Sequence, residues 1–531
     1  MRFSRSLRLT ACVFLVAFAT VVCSTGYITP GSLAETEQAE QNLSASATAL
    51  YSLLLPNATA TTAGVATLTP IPTVEASPTP AESPTAAPPF IYPAQAGDTL
   101  RALAIRFGVA PEQIASPQDI PTGLIDPGQI LTIPSVLGVT SPGERLLPDS
   151  EIVYSRTTFD FNTATYVGQM GGYLAGVRQY LTSWMSGARV VDQVAYQHSV
   201  NPRLLLAVLQ EQSNWVLGDP IPGNNPDYPM GYINPLDKGL YAQLSWAARE
   251  LTVGYYGWRE GRLTELTFPD GRVLRLAPDL NAGTVAIQYL FSQLYDYETW
   301  LEKMDPNFGF AFTYGKGMFP DPWVRAAEAE PLFPPGLSQP TLRLPFRLGQ
   351  LWAFTSGPHG AWSREGATAA LDFAPGSSLP GCAPSDTWVT AMASGLVVRT
   401  DPGVIVVDLD GDGYEQTGWV ILYLHVANDD HIRTGDWVDQ GTSLGNPSCE
   451  GGNATGTHLH IARKYNGEWI SAVGAIPFEI SGWVAQYGEP SFQGGEGGGL
   501  SGTLMRGDEV VTACTCSNVG SRIALSANDP Y

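Results

Sequence analysis

Between Trp388 and Lys464 the chain runs through four short β-branched or alternating segments, "WVTAMASGLVVRT", "VIVVDLD", "WVILYLHV" and "HLHIARK", separated by Gly, Asp and Asn turns. This texture specifies an antiparallel β domain and excludes a helical one. Five of the six histidines lie in the same C-terminal part: His359, His425, His431, His458 and His460. Their clustering favours a site over scattered core histidines. In "THLHI" the side chains alternate along a strand, so His458 and His460 point off one face. A shared face suits a two-ligand metal clamp, or one ligand beside one acid/base group, and the pattern alone leaves both open.

The rest of the chain is organised differently. At 531 residues it is long enough for two or three modest cores plus linkers, so a multidomain architecture is expected. Arg2, Arg5 and Arg8 precede an apolar run from Leu9 to Val22, which reads as an export signal or membrane anchor over residues 1–23. Cys23 closes that run, but Val22 and Thr20 stand where a lipid-attachment signal carries a small residue and a leucine. Residues 24–89 are rich in Thr, Ala, Ser and Pro, as in "PIPTVEASPTPAESPTAAPP", and bury too little surface to offset their ordering entropy. They are expected to form a disordered tether. The net charge of −22 argues against a phosphate backbone as partner, so no nucleic acid is expected.

In an exported chain disulfides persist, and Cys382 and Cys449 flank the β segments in one domain, where we expect them to pair. Cys514 and Cys516 form an isolated Cys-x-Cys in a Gly-rich stretch, residues 488–531, expected to be a flexible tail.

Two further segments carry helix signals. In "AGDTLRALAIRFGV", Asp98 is placed to cap a helix bearing Leu100, Leu103, Ala104 and Phe107 on one face, with Gly108 as its stop. A second short helix is expected at Pro111 to Ala115, and "QILTIP" ends as a strand. Through "AGDTL", "IRFGV" and "DPGQILTIP" residues 90–135 resemble a LysM module. That resemblance implies a small α/β strand-helix-helix-strand fold that binds N-acetylglucosamine-containing glycan such as peptidoglycan. In "VNPRLLLAVLQEQSNW", Asn201 is a cap and Pro202 the first helical residue, opening a mainly helical region over 150–335. This stretch resembles the catalytic helix of lysozyme-like transglycosylases, whose general acid is a Glu immediately before a Ser. Here Gln212 precedes Ser213 and Glu211 lies one residue earlier, about 100° round the helix. The resemblance therefore implies a degenerate lysozyme-like domain, with cleavage of glycan strands by Glu211 as an alternative.

Within residues 342–487, "VTAMASGLV", "YLH", "IRTGDWVDQGTSLG" and "GNATGTHLHI" resemble, in order and spacing, the lysostaphin-type zinc endopeptidases. The resemblance implies an antiparallel all-β peptidase domain with a β-sheet groove and one Zn²⁺ at its floor. It implies hydrolysis of peptide crosslinks in peptidoglycan by an exported protein of the cell envelope. It assigns His460 and Asp372 as metal ligands, and His425 and His458 as the catalytic pair. The family's first ligand is usually a His four residues before the Asp, where this chain has Thr368, a poor zinc ligand. His359 in "SGPHGAW", 372 − 359 = 13 residues upstream, is the expected substitute. His431 matches no motif position and reads as a turn residue. A non-catalytic peptidoglycan-binding protein or hydrolase activator is the rival reading. "DLDGDGYEQTG" alternates carboxylates as calcium loops do, but Trp419 stands at the twelfth position. An acidic hairpin turn is expected there, with calcium left open.

Overall fold

The structure is a computed structural model; it describes residues 87–531 apart from 377–380, 428, 430, 489–501, 515–518 and 531. The export signal, most of the tether and Cys516 lie outside the described residues. No helix among the described residues is long and apolar enough to cross a membrane.

Strands β1 (Phe90–Pro93) and β2 (Ile130–Ile133) pair antiparallel around helix α1 (Leu100–Phe107). Tyr92, Leu103, Phe107, Leu131 and Ile133 form their core. Gly108 ends α1 in the left-handed conformation, as its sequence position implies. The cap is Thr99 rather than Asp98. Asp98 is fully buried, pairs with Arg106 at 2.7 Å and accepts the Tyr92 hydroxyl at 2.8 Å, a demand stronger than capping. The second helix shrinks to one 3₁₀ turn at Pro111–Gln113.

Helices α2 (Gly187–His198), α3 (Pro202–Ser213), α4 (Leu240–Arg259), α5 (Ala282–Ser292) and α6 (Tyr297–Met304) build the middle region. Asn201 caps α3 through the Arg203 amide, with Pro202 at the first position. The small strand-helix unit does not hang free of these helices. Arg275 donates to the carbonyls of Ile105 and Arg106, both at 2.9 Å, and Arg106 lies over the Trp258 ring.

The C-terminal part is built on one large antiparallel sheet. Its order runs β8 (Trp437–Val438), β5 (Gly395–Asp401), β6 (Gly403–Asp408), β7 (Trp419–Ala427), β10 (Leu459–Tyr465), β4 (Ala370–Pro375), β3 (Leu351–His359) and β15 (Arg522–Ala524). A short strand β9 (Ser443–Pro447) pairs with the end of β7, and β11 (Glu468–Trp469) folds back on β10.

Both faces of this sheet are covered. Ile405, Val407, Ile421, Tyr423, Leu459 and Ile461 point into a core with Leu371, Phe373, Phe478 and Ile480. Their neighbours Val404, Val406, Val420, Leu422, Leu424 and Ala462 point the other way, into one core shared with α2, α3, α4 and α5. Strand β6 is therefore buried along its whole length, which its unbroken apolar run requires. The helices and the sheet consequently belong to one compact unit among the described residues. A buried ion network pins the junction. Arg259 of α4 meets Glu468 at 3.0 Å and Asp149 at 2.9 Å, and Glu468 accepts the Tyr255 hydroxyl at 2.8 Å.

The tail corrects the sequence expectation. Strands β12 (Trp483–Gln486), β13 (Thr503–Arg506) and β14 (Glu509–Thr512) pair in turn, and β15 closes the edge of the main sheet against β3. Leu504, Val511, Ile523 and Leu525 are buried in the core of the sheet. These few apolar residues, diluted by glycine, order the segment by covering an edge strand that would otherwise stand open.

Candidate metal centre

Strand register brings the histidines and Asp372 together. His460 on β10 lies directly opposite Asp372 on β4, and opposite Leu424 on β7. His359 ends β3, where a shift of register between Ser356 and His359 sets it opposite Ala370. His359 thereby reaches the Asp372 carboxylate, with Nε2 2.9 Å from Oδ2. His460 Nδ1 lies 3.1 Å from Oδ1, and His458 Nε2 lies 3.8 Å from Oδ2.

His425 arrives by a different device. On strict alternation it would leave β7 on the side opposite Leu424. The register of β7 against β6 slips at this point, because Leu424 pairs with Val404 and Val426 with Gly403. His425 is the extra residue of that bulge and takes a left-handed backbone, φ 65°. The bulge turns its ring to the metal side, 4.4 Å from His458 and 6.2 Å from His460 between ring centroids. A left-handed non-glycine residue costs roughly 1–2 kcal/mol and persists where its surroundings enforce it.

Backbone carbonyls fix which nitrogen of each ring is free. A carbonyl only accepts, so the nitrogen facing it carries the proton. His425 Nδ1 donates to Glu450 O at 2.7 Å and His458 Nδ1 to Gly456 O at 2.7 Å, leaving both Nε2 atoms as bases. His359 Nδ1 faces Gly360 O at 3.1 Å, which leaves Nε2 toward Asp372. For His460 the order is reversed: Nε2 donates to Ala361 O at 2.8 Å, and Nδ1 is free.

The result is a donor set with an unmet demand. His359 Nε2, an Asp372 oxygen and His460 Nδ1 all lie within 4.8 Å of one another. His359 Nε2 and Asp372 Oδ1 are buried without a hydrogen bond, although each is close to the other side chains of the cluster. With both imidazoles neutral, these rings and the carboxylate would present lone pairs to one another, so the cluster calls for positive charge, which a shared cation supplies. Ligands about 2.1 Å from a tetrahedral centre stand about 3.4 Å apart, near the 2.9 and 3.1 Å separations seen here. Two imidazoles and one carboxylate form a donor set suited to zinc with an open position.

The electrostatics show the same demand for positive charge beside Asp372. Against the effect of burial, His359 and His460 hold the Asp372 carboxyl well below the usual range. Burial opposes charge on His359, yet Asp372 outweighs it and raises His359, whereas burial prevails at His460 and lowers it. Burial and the neighbouring His458 push His425 down to about 4, so it is a neutral base at pH 7.

Thr368 is not in the cluster. Its hydroxyl contacts the Tyr487 hydroxyl at 3.0 Å, Ser471 at 3.3 Å and Glu260 at 3.4 Å. His431 stacks near Trp388, at 4.9 Å between ring centroids, apart from the other four. Cys382 and Cys449 are joined as a disulfide. The Asp408 turn joins β6 to β7, with Asp408 accepting from Gly413 N and Asp410 N. Burial and Asp410 raise its carboxyl to about 7. The pairing β6–turn–β7 is the expected acidic hairpin, and its Asp408, Asp410 and Asp412 carboxylates lie close enough to share a cation. Glu211 is engaged by Lys303 at 2.6 Å, and Gln212 accepts the Tyr295 hydroxyl at 2.9 Å.

Sequence reasoning could not find the carbonyls of Gly360, Ala361, Glu450 and Gly456. They orient all four rings, and backbone groups leave no signal in residue type. The expected open groove is also changed. The helices fill the part of the face shared with Asp372 and His460 that is formed by Val404, Val406, Leu422 and Ala462.

Comparison with known proteins places three families on the chain. Residues 92–134 match the LysM domain, 145–332 the N-terminal domain of LasA, and 380–472 peptidase family M23. Two strains of Pseudomonas aeruginosa carry a Protease LasA that is 25% identical over 365 residues, covering 64% of this chain and 79% of that protein. Among solved structures, the M23 metalloprotease pseudoalterin is 24% identical, with a TM-score of 0.26, and the match covers 33% of this chain and 96% of that one. Lysostaphin from Staphylococcus simulans is 17% identical, with a TM-score of 0.17, over 35% of this chain and 91% of that one. The helical region of this chain is thus similar to the LasA N-terminal domain, where its sequence suggested a lysozyme-like one.

Proposed function

We propose that this chain, a lysostaphin-type peptidase of family M23 joined to a LysM domain, is an exported, zinc-dependent endopeptidase that cleaves peptide crosslinks of peptidoglycan. The observation that carries the reading is the orphaned pair, His359 Nε2 and Asp372 Oδ1, beside His460 Nδ1. His359, Asp372 and His460 would hold the metal. Zinc at that position would supply a Lewis acid for the scissile carbonyl and would lower the pKa of a water to near neutrality.

The remaining work falls to the two free imidazole nitrogens. His425 Nε2 or His458 Nε2 accepts the proton of the attacking water and passes it to the departing amine. The other ring would donate to the oxygen of the tetrahedral intermediate by entering the reaction as imidazolium, with Nε2 carrying the proton and Nδ1 still on its carbonyl. Both rings are braced through Nδ1, so neither needs to reorient during the reaction. The domains run as a LysM unit over 90–135, a helical unit over 150–335 and a peptidase unit over 342–487, with the LysM unit contributing affinity for glycan strands.

The test uses purified peptidoglycan and the full chain. New amino groups, lost on chelation and restored by zinc, are expected; new reducing sugar ends would indicate glycan cleavage instead. His425→Ala should retain zinc and release amines about 10²–10⁴-fold more slowly. Binding of the wall with no release of either kind would leave the non-catalytic alternative standing and sink the enzyme.

A further inference from the structure

We infer that helix α4 and the turn after it are part of the metal centre, with Arg262 as a positioning residue for the ligand His460. The inference rests on the zinc reading above. It starts from the segment 360–369, which separates His359 from Asp372 by more than the usual family spacing. This segment folds as an arm that reaches the helical region. Ala361, Ala367 and Ala369 are buried in the core shared with the helices.

A continuous run of hydrogen bonds leads from helix to ligand. Arg262 Nη2 donates to Gly366 O at 3.0 Å. The next residue, Ala367, accepts the Ala361 amide at 3.0 Å, which closes the neck of the arm. Ala361 O then accepts His460 Nε2–H at 2.8 Å. That last bond leaves Nδ1 as the free nitrogen and aims it at Asp372.

The helical side is itself rigid. Arg262 is held at 2.7 Å by Glu260, which caps α4 and also reaches the Thr368 hydroxyl. Gly366 has φ 94°, and a Cβ there would lie 2.7 Å from the Thr252 hydroxyl of α4, so only glycine lets the arm seat this closely. The longer spacing between His359 and Asp372 is therefore an arm that ties the first ligand's strand to the helices. Removing the tie should let the Ala361 carbonyl drift and the His460 ring turn.

The experiment measures the zinc dissociation constant of the full chain by chelator competition, together with the unfolding midpoint of the metal-free protein. Arg262→Ala is expected to weaken zinc binding about 10- to 100-fold, the usual effect of losing an outer-shell partner, with the metal-free midpoint unchanged. Arg262→Lys, which can still donate one hydrogen bond to Gly366 O, should recover most of the affinity. Equal affinity in wild type and Arg262→Ala overturns the inference alone. A lowered metal-free midpoint in Arg262→Ala also overturns it, because the role would then be one of general stability. A wild type that takes up no zinc overturns the proposed function and this inference together.

Discussion

The placement of His359 and Thr368 makes a quantitative demand on metal binding. His359 Nε2 is 2.9 Å from Asp372, whereas the Thr368 hydroxyl bonds away from the cluster to Tyr487, Ser471 and Glu260. Four-ligand zinc sites in folded peptides contribute about 10–16 kcal/mol, or about 2.5–4 kcal/mol per ligand, so losing one of three protein ligands should weaken binding roughly 10²–10³-fold. With free zinc set at 100 times the wild-type Kd, binding stabilises the wild type by about 2.7 kcal/mol; at a hundredfold weaker Kd the same zinc adds only about 0.4 kcal/mol. His359→Ala should therefore lose about 2.3 kcal/mol of zinc-dependent stability, while Thr368→Ala loses none. Urea unfolding with and without zinc reads the difference, and chelator competition gives the affinities independently. His359→Ala with its zinc stabilisation intact, or Thr368→Ala without it, would refute the assignment of the first ligand.

Two further outcomes test the joint between the helices and the sheet. Glu468→Ala removes the acceptor of Tyr255 and two contacts to Arg259, leaving Asp149 as that guanidinium's remaining carboxylate; breaking such a buried pair costs about 3 kcal/mol, and a loss below about 1 kcal/mol in urea unfolding would contradict the network. His198 is buried on α2, and burial followed by Arg249 pushes it down to about 3, so the unfolded chain takes up the proton first and stability is lost as pH falls below about 6.5. From pH 7 to pH 5 that loss is about 2 kcal/mol, and it should be absent in His198→Gln; equal acid sensitivity of the two proteins would show that His198 is not the group responsible.

How much of this was legible in the sequence depends on the kind of signal each feature leaves. Periodicity located β5, β6, β7 and β10, and the alternation of His458 and His460 put both on the metal side. Asn201 and Pro202 begin their helix and Gly108 ends its own as their backbone preferences dictate. Asp98 misled because a carboxylate before a helix serves equally well as a cap or as a partner for a buried arginine, and Arg106 eight residues later decided between them. His425 was assigned from its motif, but its face was not legible. Counting by twos along "WVILYLHV" puts it with Tyr423, and only the bulge opposite Gly403 reverses that. The order of the tail was hidden because its contribution is a row of backbone hydrogen bonds to β3, which glycine-rich sequence neither announces nor forbids.

The hardest feature to read was which apolar surface meets which, and it bears directly on function. An apolar run such as "VIVVD" says that both faces of β6 are buried but not what buries them. Helices cover the face that carries Asp372 and His460, so the sheet beyond His460 is packed and cannot serve as a floor for substrate on that side. The exposed approach to the cluster lies where His359 and His458 retain 28% and 17% of their side-chain surface. The Thr457 amide beside His458 donates to Gly381 O at 3.0 Å, next to the Cys382–Cys449 disulfide, and the 360–369 arm follows directly on His359. The helical region thus meets the candidate site twice, by filling one end of its face and by contacting the arm whose Ala361 carbonyl accepts from His460. Substrate selection by this site should consequently respond to changes in α4, which contributes no side chain to the chemistry itself.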